Sequence, residues 1–215
     1  MSRRNQMKLP PDITTVLFDM DGVLIDTSVA VHDAYTDWAV ANDLDPEVVL
    51  AGVHGRRTVE VAAAFGFEDV EAEADRVEKA IADRARSEHG IEPVCALYRS
   101  LERGRFAVAT SARRETALTN LRVLELEPPE VLVTGQDVEN GKPEPDPYLL
   151  AARRLGVPTG QCVVIEDAPA GIEAGKAAGC LVLALLTNHD RDELAAADMV
   201  LAPDDLADVF RKLTD

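Results

Sequence analysis

The sequence predicts an α/β fold: a doubly wound, Rossmann-like parallel sheet core with a small inserted helical cap. Three observations predict it. Short runs rich in Val, Leu and Ile recur at 15–19, 106–110, 131–134, 162–166, 181–185 and 199–201. They are apolar almost throughout instead of alternating, as strands buried on both faces of a parallel sheet are. Helix-length segments with start and stop signals lie between them. The first two runs stand about ninety residues apart, far more than a βα connection needs, so that interval holds structure of its own.

The first strand, 15–19, runs directly into Met20-Asp21-Gly22. The interval 28–92 is helical by pattern: Val31, Tyr35 and Trp38 share one face, and Val70, Ala74, Val77, Ile81 and Ala85 share another. Asp26 reads as the N-cap of the first of these helices, with Thr27 beside it. Asp75–Lys79 and Arg84–Glu88 are spaced i,i+4 on the exposed side of the later helix. Residues 1–27 and 93–215 then form the α/β core, and 28–92 a helical insert over the carboxyl ends of its strands. Further along, Pro147 opens a helix that closes at Gly156, and Pro169 opens one that closes at Gly179. Strands alternating with such helices make a parallel sheet.

The net charge of −17 excludes nucleic acid and anionic membranes as partners, since both need a basic footprint and none is present as a run or stripe. It also means that a phosphate site must be built from local donors, a few cations and a metal. Cys95, Cys162 and Cys180 are odd in number and lack paired spacing, so they read as small buried hydrophobes in a reducing compartment. The N-terminal stretch has two arginines but no apolar segment, which points to a cytoplasmic protein.

The chemistry concentrates at the strand ends. Val16-Leu-Phe-Asp19-Met-Asp21-Gly22 is an apolar strand ending in two carboxylates spaced i,i+2, which project from one side at the carboxyl end, where α/β proteins place ligands. An ionised carboxylate can attack phosphorus, and a second one nearby can protonate the leaving alkoxide and then take a proton from water. That makes Asp19 the candidate nucleophile and Asp21 the candidate acid and base; taken alone, the pair also fits a capped turn. The strand 106–110 runs into Thr110-Ser111-Ala112-Arg113 at a helix start, where a hydroxyl and free backbone N–H groups can cradle a phosphate or cap the helix. Lys142 sits in the Pro-stiffened loop Gly141-Lys-Pro-Glu-Pro145 and can be aimed at a phosphate with little freedom to lose. The strand 162–166 ends in Glu166-Asp167, and carboxylates converging from two strand ends call for a cation. Hard oxygen donors suit Mg²⁺, with Asp19, Asp167, Glu166 and the backbone carbonyl of Asp21 as candidate ligands.

In this order, and spread over nearly the whole chain, these four pieces resemble the four motifs of the haloacid dehalogenase superfamily, and the insert resembles its C1-type cap. The stretches His54-Gly-Arg-Arg-Thr58, Gln136 to Pro145, and Glu166 to Cys180 are similar to the glycerol-3-phosphate and 2-deoxyglucose-6-phosphate phosphatases and their bacterial sugar-phosphatase relatives. The resemblance implies Asp19 as nucleophile, Asp21 as acid and base, Thr110 and Lys142 on phosphate, and Glu166 with Asp167 on magnesium. It also implies a small phosphomonoester as substrate, and the chain is expected to be a monomer or weak homodimer. Val94 stands where these enzymes carry Gly after Pro93, and Arg56 where the yeast-type enzymes carry an aromatic residue; both departures bear on the substrate, not the reaction.

Within the superfamily, Asp21 argues against a dehalogenase, which has no alkoxide to protonate. The β-phosphoglucomutases carry a histidine where Val31 stands here, and His32 is one residue, about 100°, out of phase. A phosphomutase is therefore the alternative below a hydrolase. A catalytically silent phosphometabolite-binding protein is the other, although Asp19, Asp21, Lys142 and Asp167 are all intact. Specificity is expected from His54, Arg56 and Arg57 in the Gly-containing break of the insert, which fits either side chains pointing down at the sheet or a solvated turn. Arg57 matches the arginine that related phosphatases and mutases carry there.

Overall fold

The computed structural model of the chain describes residues 8–53 and 56–214; His54 and the N-terminal stretch 1–7 lie outside the described residues. Strands β1 (Thr15–Phe18), β2 (Phe106–Ala109), β3 (Leu132–Val133), β4 (Cys162–Glu166), β5 (Leu181–Leu185) and β6 (Met199–Leu201) form one sheet of order β3-β2-β1-β4-β5-β6, with every pairing parallel. This is the fold class the sequence predicts. Asp19 and Thr110 fall just past their strands, yet each still donates its backbone N–H to the neighbouring strand, to Ile165 at 2.9 Å and Val133 at 3.0 Å. The ladder thus carries the motif residues to the rim before the chain turns away. Strand order reverses between β1 and β4, and ligands bind outside the carboxyl ends at such a switch point.

Between β1 and β2 the chain forms α1 (Ser28–Ala41), α2 (Pro46–Leu50), α3 (Thr58–Ala64) and α4 (Val70–Arg84). Their buried residues, from Ala30 to Ile81, make a hydrophobic cluster separate from those of the sheet. Trp38 is its centre, packed edge-on against Tyr35 and Phe65 at 6.1 and 6.0 Å and against Phe67 at 5.1 Å, with its indole N–H bonded to Glu73 at 2.8 Å. Truncating such a residue to Ala costs about 3–5 kcal/mol. The expected i,i+4 pairs on α4 do not form. The helix ends at Arg84, so Glu88 falls in a separate turn and Arg84 pairs with Asp37 at 2.8 Å. Asp75 is drawn instead to Arg113 of the core at 3.1 Å, and Lys79 pairs with Asp83 at 2.6 Å. Nor is Asp26 the N-cap: Thr27 holds that position and spends its hydroxyl elsewhere, while Asp26 accepts from the backbone and hydroxyl of Ser28.

The sheet buries both faces because its side chains alternate. Val16 and Phe18 pack on one side with α5 (Glu92–Ser100), α6 (Arg114–Val123) and α9 (Leu206–Thr214). Leu17 packs on the other with α7 (Asp146–Leu155) and α8 (Pro169–Ala177). Each fully buried aliphatic or aromatic side chain contributes roughly 1.5–3 kcal/mol. Helix α7 carries Pro147 in its first turn and ends on Gly156 at φ 73°, as the sequence predicts. No helix among the described residues is long and apolar enough to cross a membrane.

Candidate active site

Four loops meet outside the carboxyl ends of β1, β2 and β4. After β1 the chain turns so tightly that Gly22 takes φ +73°, and a Cβ there would overlap the Asp167 carboxylate. Similarly, a side chain at Gly171 in the first turn of α8 would overlap Glu166. Both glycines let the two carboxylate-bearing loops approach each other. Asp19, Glu166 and Asp167 thereby bring carboxylate oxygens within 4.8 Å of one another, all buried.

Lys142 reaches into this cluster from the loop before α7. Its ammonium lies 2.5 Å from Asp19 Oδ1 and 2.6 Å from Glu166 Oε1, over the ring of Tyr148 at 5.2 Å. Burial would lower its pKa, but the Asp19 and Glu166 carboxylates outweigh it and hold the lysine charged. Burial raises Asp19 well above the ordinary carboxylate range, against the pull of Lys142. Asp167 is pushed up to about 7, by burial first and then by the charge of Glu166. One lysine does not balance three buried carboxylates, so the donor set fits a divalent cation.

Glu166 is in this cluster, but its oxygens are already taken. Oε1 accepts from Lys142 and from the Tyr148 hydroxyl at 2.7 Å, and Oε2 accepts from the backbone N–H groups of Asp167 and Ala168 at 2.9 and 3.2 Å. Those donors fill the roughly four lone-pair sites of a carboxylate. Glu166 therefore anchors Lys142, while it also belongs with Asp19 and Asp167 to the buried carboxylate cluster that could hold a metal ion.

Asp21 accepts from the Thr27 hydroxyl at 2.8 Å. Burial raises its pKa, with the Thr27 hydrogen bond opposing. Thr110 is brought to the site but lies behind its wall: its hydroxyl bonds Asp21 and accepts from the backbone N–H of Ala112 at 3.1 Å. Ser111 lines the cavity itself.

The cavity measures about 210 Å³ and lies between the sheet end and the insert. This is below the roughly 300–1,000 Å³ of drug-sized ligand pockets. Of the insert residues expected to meet a substrate, Arg56 lines it and is exposed. Arg57 does not. Its guanidinium is spent on Glu60 and on the carbonyls of Gly135, Val138 and Glu139 at 3.3, 3.1 and 2.9 Å, because the loop before Lys142 presents three unpaired acceptors directly beneath it. Arg113 and Arg114 likewise face away, to Glu71 and Asp75 and to Asp137 respectively.

Sequence reasoning missed Tyr148, Asn188 and Glu78. Tyr148 on the apolar face of α7 reads as core. Asn188, which donates to Asp167 at 2.9 Å, was legible as a polar residue just after the carboxyl end of β5. Glu78, buried and lining the cavity, was legible as a charge within the apolar stripe of α4.

The sequence matches the haloacid dehalogenase-like hydrolase family over residues 13–179. It is 39% identical over 191 residues to hexitol phosphatase A of Escherichia coli, covering 86% of this chain and 88% of that protein. It is 36% identical over 196 residues to glycerol-1-phosphate phosphohydrolase 1 of Saccharomyces cerevisiae, covering 85% and 78%. A crystal structure of a hydrolase from Pseudomonas syringae superposes with a TM-score of 0.78 at 26% identity, over 94% of this chain and 99% of that one. With a family match over most of its length and a relative 39% identical across 86% of it, this chain belongs to the haloacid dehalogenase-like hydrolase family.

Proposed function

We propose that the chain is a phosphatase that hydrolyses a small sugar or polyol phosphomonoester through a phosphorylated Asp19. The observation that carries this is the placement of Asp19, buried at the switch point of the sheet against Lys142, with Asp21 two residues on. The similarity to hexitol and glycerol-1-phosphate phosphatases supports the substrate class.

Asp19 attacks phosphorus and forms the acyl phosphate as the bond to the leaving oxygen breaks. Asp21 gives that oxygen its proton. In the second step Asp21 takes a proton from water, which attacks the acyl phosphate, releases inorganic phosphate and restores the Asp19 carboxylate. Burial raises the Asp21 carboxyl above its ordinary value, the direction that suits a group that must carry a proton to the leaving oxygen. Lys142, with Ser111 and the Thr110 loop, holds the phosphoryl oxygens, and Glu166 and Tyr148 hold Lys142. When bound at Asp19, Asp167 and the Asp21 carbonyl, Mg²⁺ would screen the repulsion between carboxylate and phosphate.

In this reading 28–92 is a cap over the site and the remainder is the catalytic core. The constellation comes from one chain, so no second copy is needed. Against the mutase alternative, Val31 lines the cavity, while His32 is 62% exposed and pairs with Asp33.

The test is hydrolysis of hexitol, glycerol and aryl phosphates with Mg²⁺. Activity should vanish in chelator and in Asp19→Asn. Full turnover in chelator, or by that variant, overturns the mechanism.

A further inference from the structure

We infer that Glu78 selects the substrate: it accepts hydrogen bonds from hydroxyls of the leaving group and keeps a second anionic group out of the site. The inference rests on the phosphatase reading and extends it to the part of the molecule that leaves.

Helix α4 carries acids at 71, 75 and 78, on one face by their i, i+4, i+7 spacing. Glu71 and Asp75 are spent outside the cavity on Arg113. Glu78 is different. It is 5% exposed and lines the cavity, across from the carboxylates at the sheet end. Its Oε1 accepts from the Thr58 hydroxyl at 2.7 Å, it also bonds the Thr116 hydroxyl, and Oε2 lies 3.4 Å from the backbone N–H of Arg113. The Thr58 and Thr116 bonds fix the rotamer. Of the roughly four lone-pair sites of the carboxylate, Thr58 and Thr116 take two and the long Arg113 contact holds a third, which leaves about one free and one weakly held to receive donors from a ligand.

The surroundings define the donors. Apolar Val31, Val53 and Ile81 and the ring of Tyr35 line the same space, a combination that suits the C–H faces and O–H edges of a polyol. A hydroxyl donating to a charged acceptor makes one of the stronger protein hydrogen bonds. A dianionic phosphate has no hydrogen to donate. Among the described residues the cavity is lined by five acidic side chains against two cations, Arg56 and Lys142. Lys142 is already paired twice, and Arg56 is exposed at the rim. A second phosphate on the leaving group would face Glu78 without a buried partner, at a cost in a low-dielectric site. A monophosphate with a neutral, hydroxylated tail would not.

The experiment uses the full chain with Mg²⁺, as wild type and as Glu78→Gln, which keeps the shape and removes the charge. Rates are measured for a hexitol monophosphate and p-nitrophenyl phosphate. Binding of the hexitol monophosphate and the matching hexitol bisphosphate is measured separately on Asp19→Asn, with and without Glu78→Gln. For Glu78→Gln we expect kcat/KM on the hexitol phosphate to fall tenfold or more, while the aryl phosphate changes less than threefold. The preference of the Asp19→Asn protein for monophosphate over bisphosphate should shrink by at least as much when Glu78 is changed. Parallel loss on both rate substrates in a variant with native-like melting, or an unchanged binding preference, overturns the inference. A wild-type chain that turns over neither phosphomonoester overturns the phosphatase reading instead, and the binding ratio still decides the role of Glu78.

Discussion

Lys142 holds Asp19 at 2.5 Å although 123 residues separate them in sequence, and the same ammonium bridges to Glu166 at 2.6 Å. Stability and chemistry therefore converge on one side chain. In Lys142→Met, Asp19 and Glu166 would be left buried without their cation, and breaking a buried pair from one side costs about 3–5 kcal/mol. A markedly lower Tm and loss of phosphatase activity are expected. Lys142→Arg should rescue neither, because a planar fork cannot replace a point charge in a site whose lysine is 2% exposed. Native-like melting of Lys142→Met would contradict this account.

Asp21→Asn keeps the backbone carbonyl and the Thr27 contact but removes the proton shuttle. Alkyl phosphate hydrolysis should fall on the order of 10²–10⁴-fold. Aryl phosphates, whose leaving groups need no proton, should lose less. Equal losses on both substrates would remove Asp21 from its role as acid.

How far the sequence carries can be read from these residues. Asp19, Asp21, Thr110 and Asp167 were legible because they lie at or just past the carboxyl ends of buried strands, which α/β topology sends to one rim, and Lys142 because it is a lone lysine in a Pro-stiffened loop. The strand runs were legible because full burial makes them apolar throughout. The partners of Glu166 were not: whether its carboxylate meets a metal or Lys142 and Tyr148 depends on how α7 packs against β4, which no local pattern encodes. The same holds for α4, whose acids look ready for i,i+4 partners until Arg113 arrives from another element.

Asp137 gives a pH prediction away from the chemistry. It is partly desolvated, but the N–H and hydroxyl of Thr134 with Arg154 and Arg114 outweigh burial and bring its carboxyl down to about 2. A folded pKa below the unfolded value stabilises above the unfolded value, about 3.9, and that contribution is lost as pH falls through the folded pKa. Discounted for its half-exposed arginine partners, the contribution is about 1–2 kcal/mol. In urea, Asp137→Asn should thus unfold earlier than wild type at pH 7, with the gap narrowing as pH is lowered toward 2. A gap that widens in acid would refute the assignment.

Arg57 gives the last prediction, and it separates two ways for the insert to matter. The resemblance to related phosphatases implies that this arginine meets the substrate. In the structure its side chain is 15% exposed and ties α3 to the loop before Lys142, through Glu60 at 2.5 Å and the carbonyls of Gly135, Val138 and Glu139. Arg57→Ala leaves three acceptors without their donor and loosens the insert over a loop that must aim Lys142. The substrate's phosphate, not its tail, should feel this. We expect kcat/KM for alkyl and aryl phosphates to fall in parallel, by about tenfold, or roughly 1.4 kcal/mol of transition-state binding, together with a lower Tm. Arg57→Lys should restore little, since one ammonium cannot span three carbonyls. A loss confined to the polyol phosphate would instead place Arg57 on the leaving group beside Glu78, and the insert would then have to shift from its present position for the guanidinium to reach it.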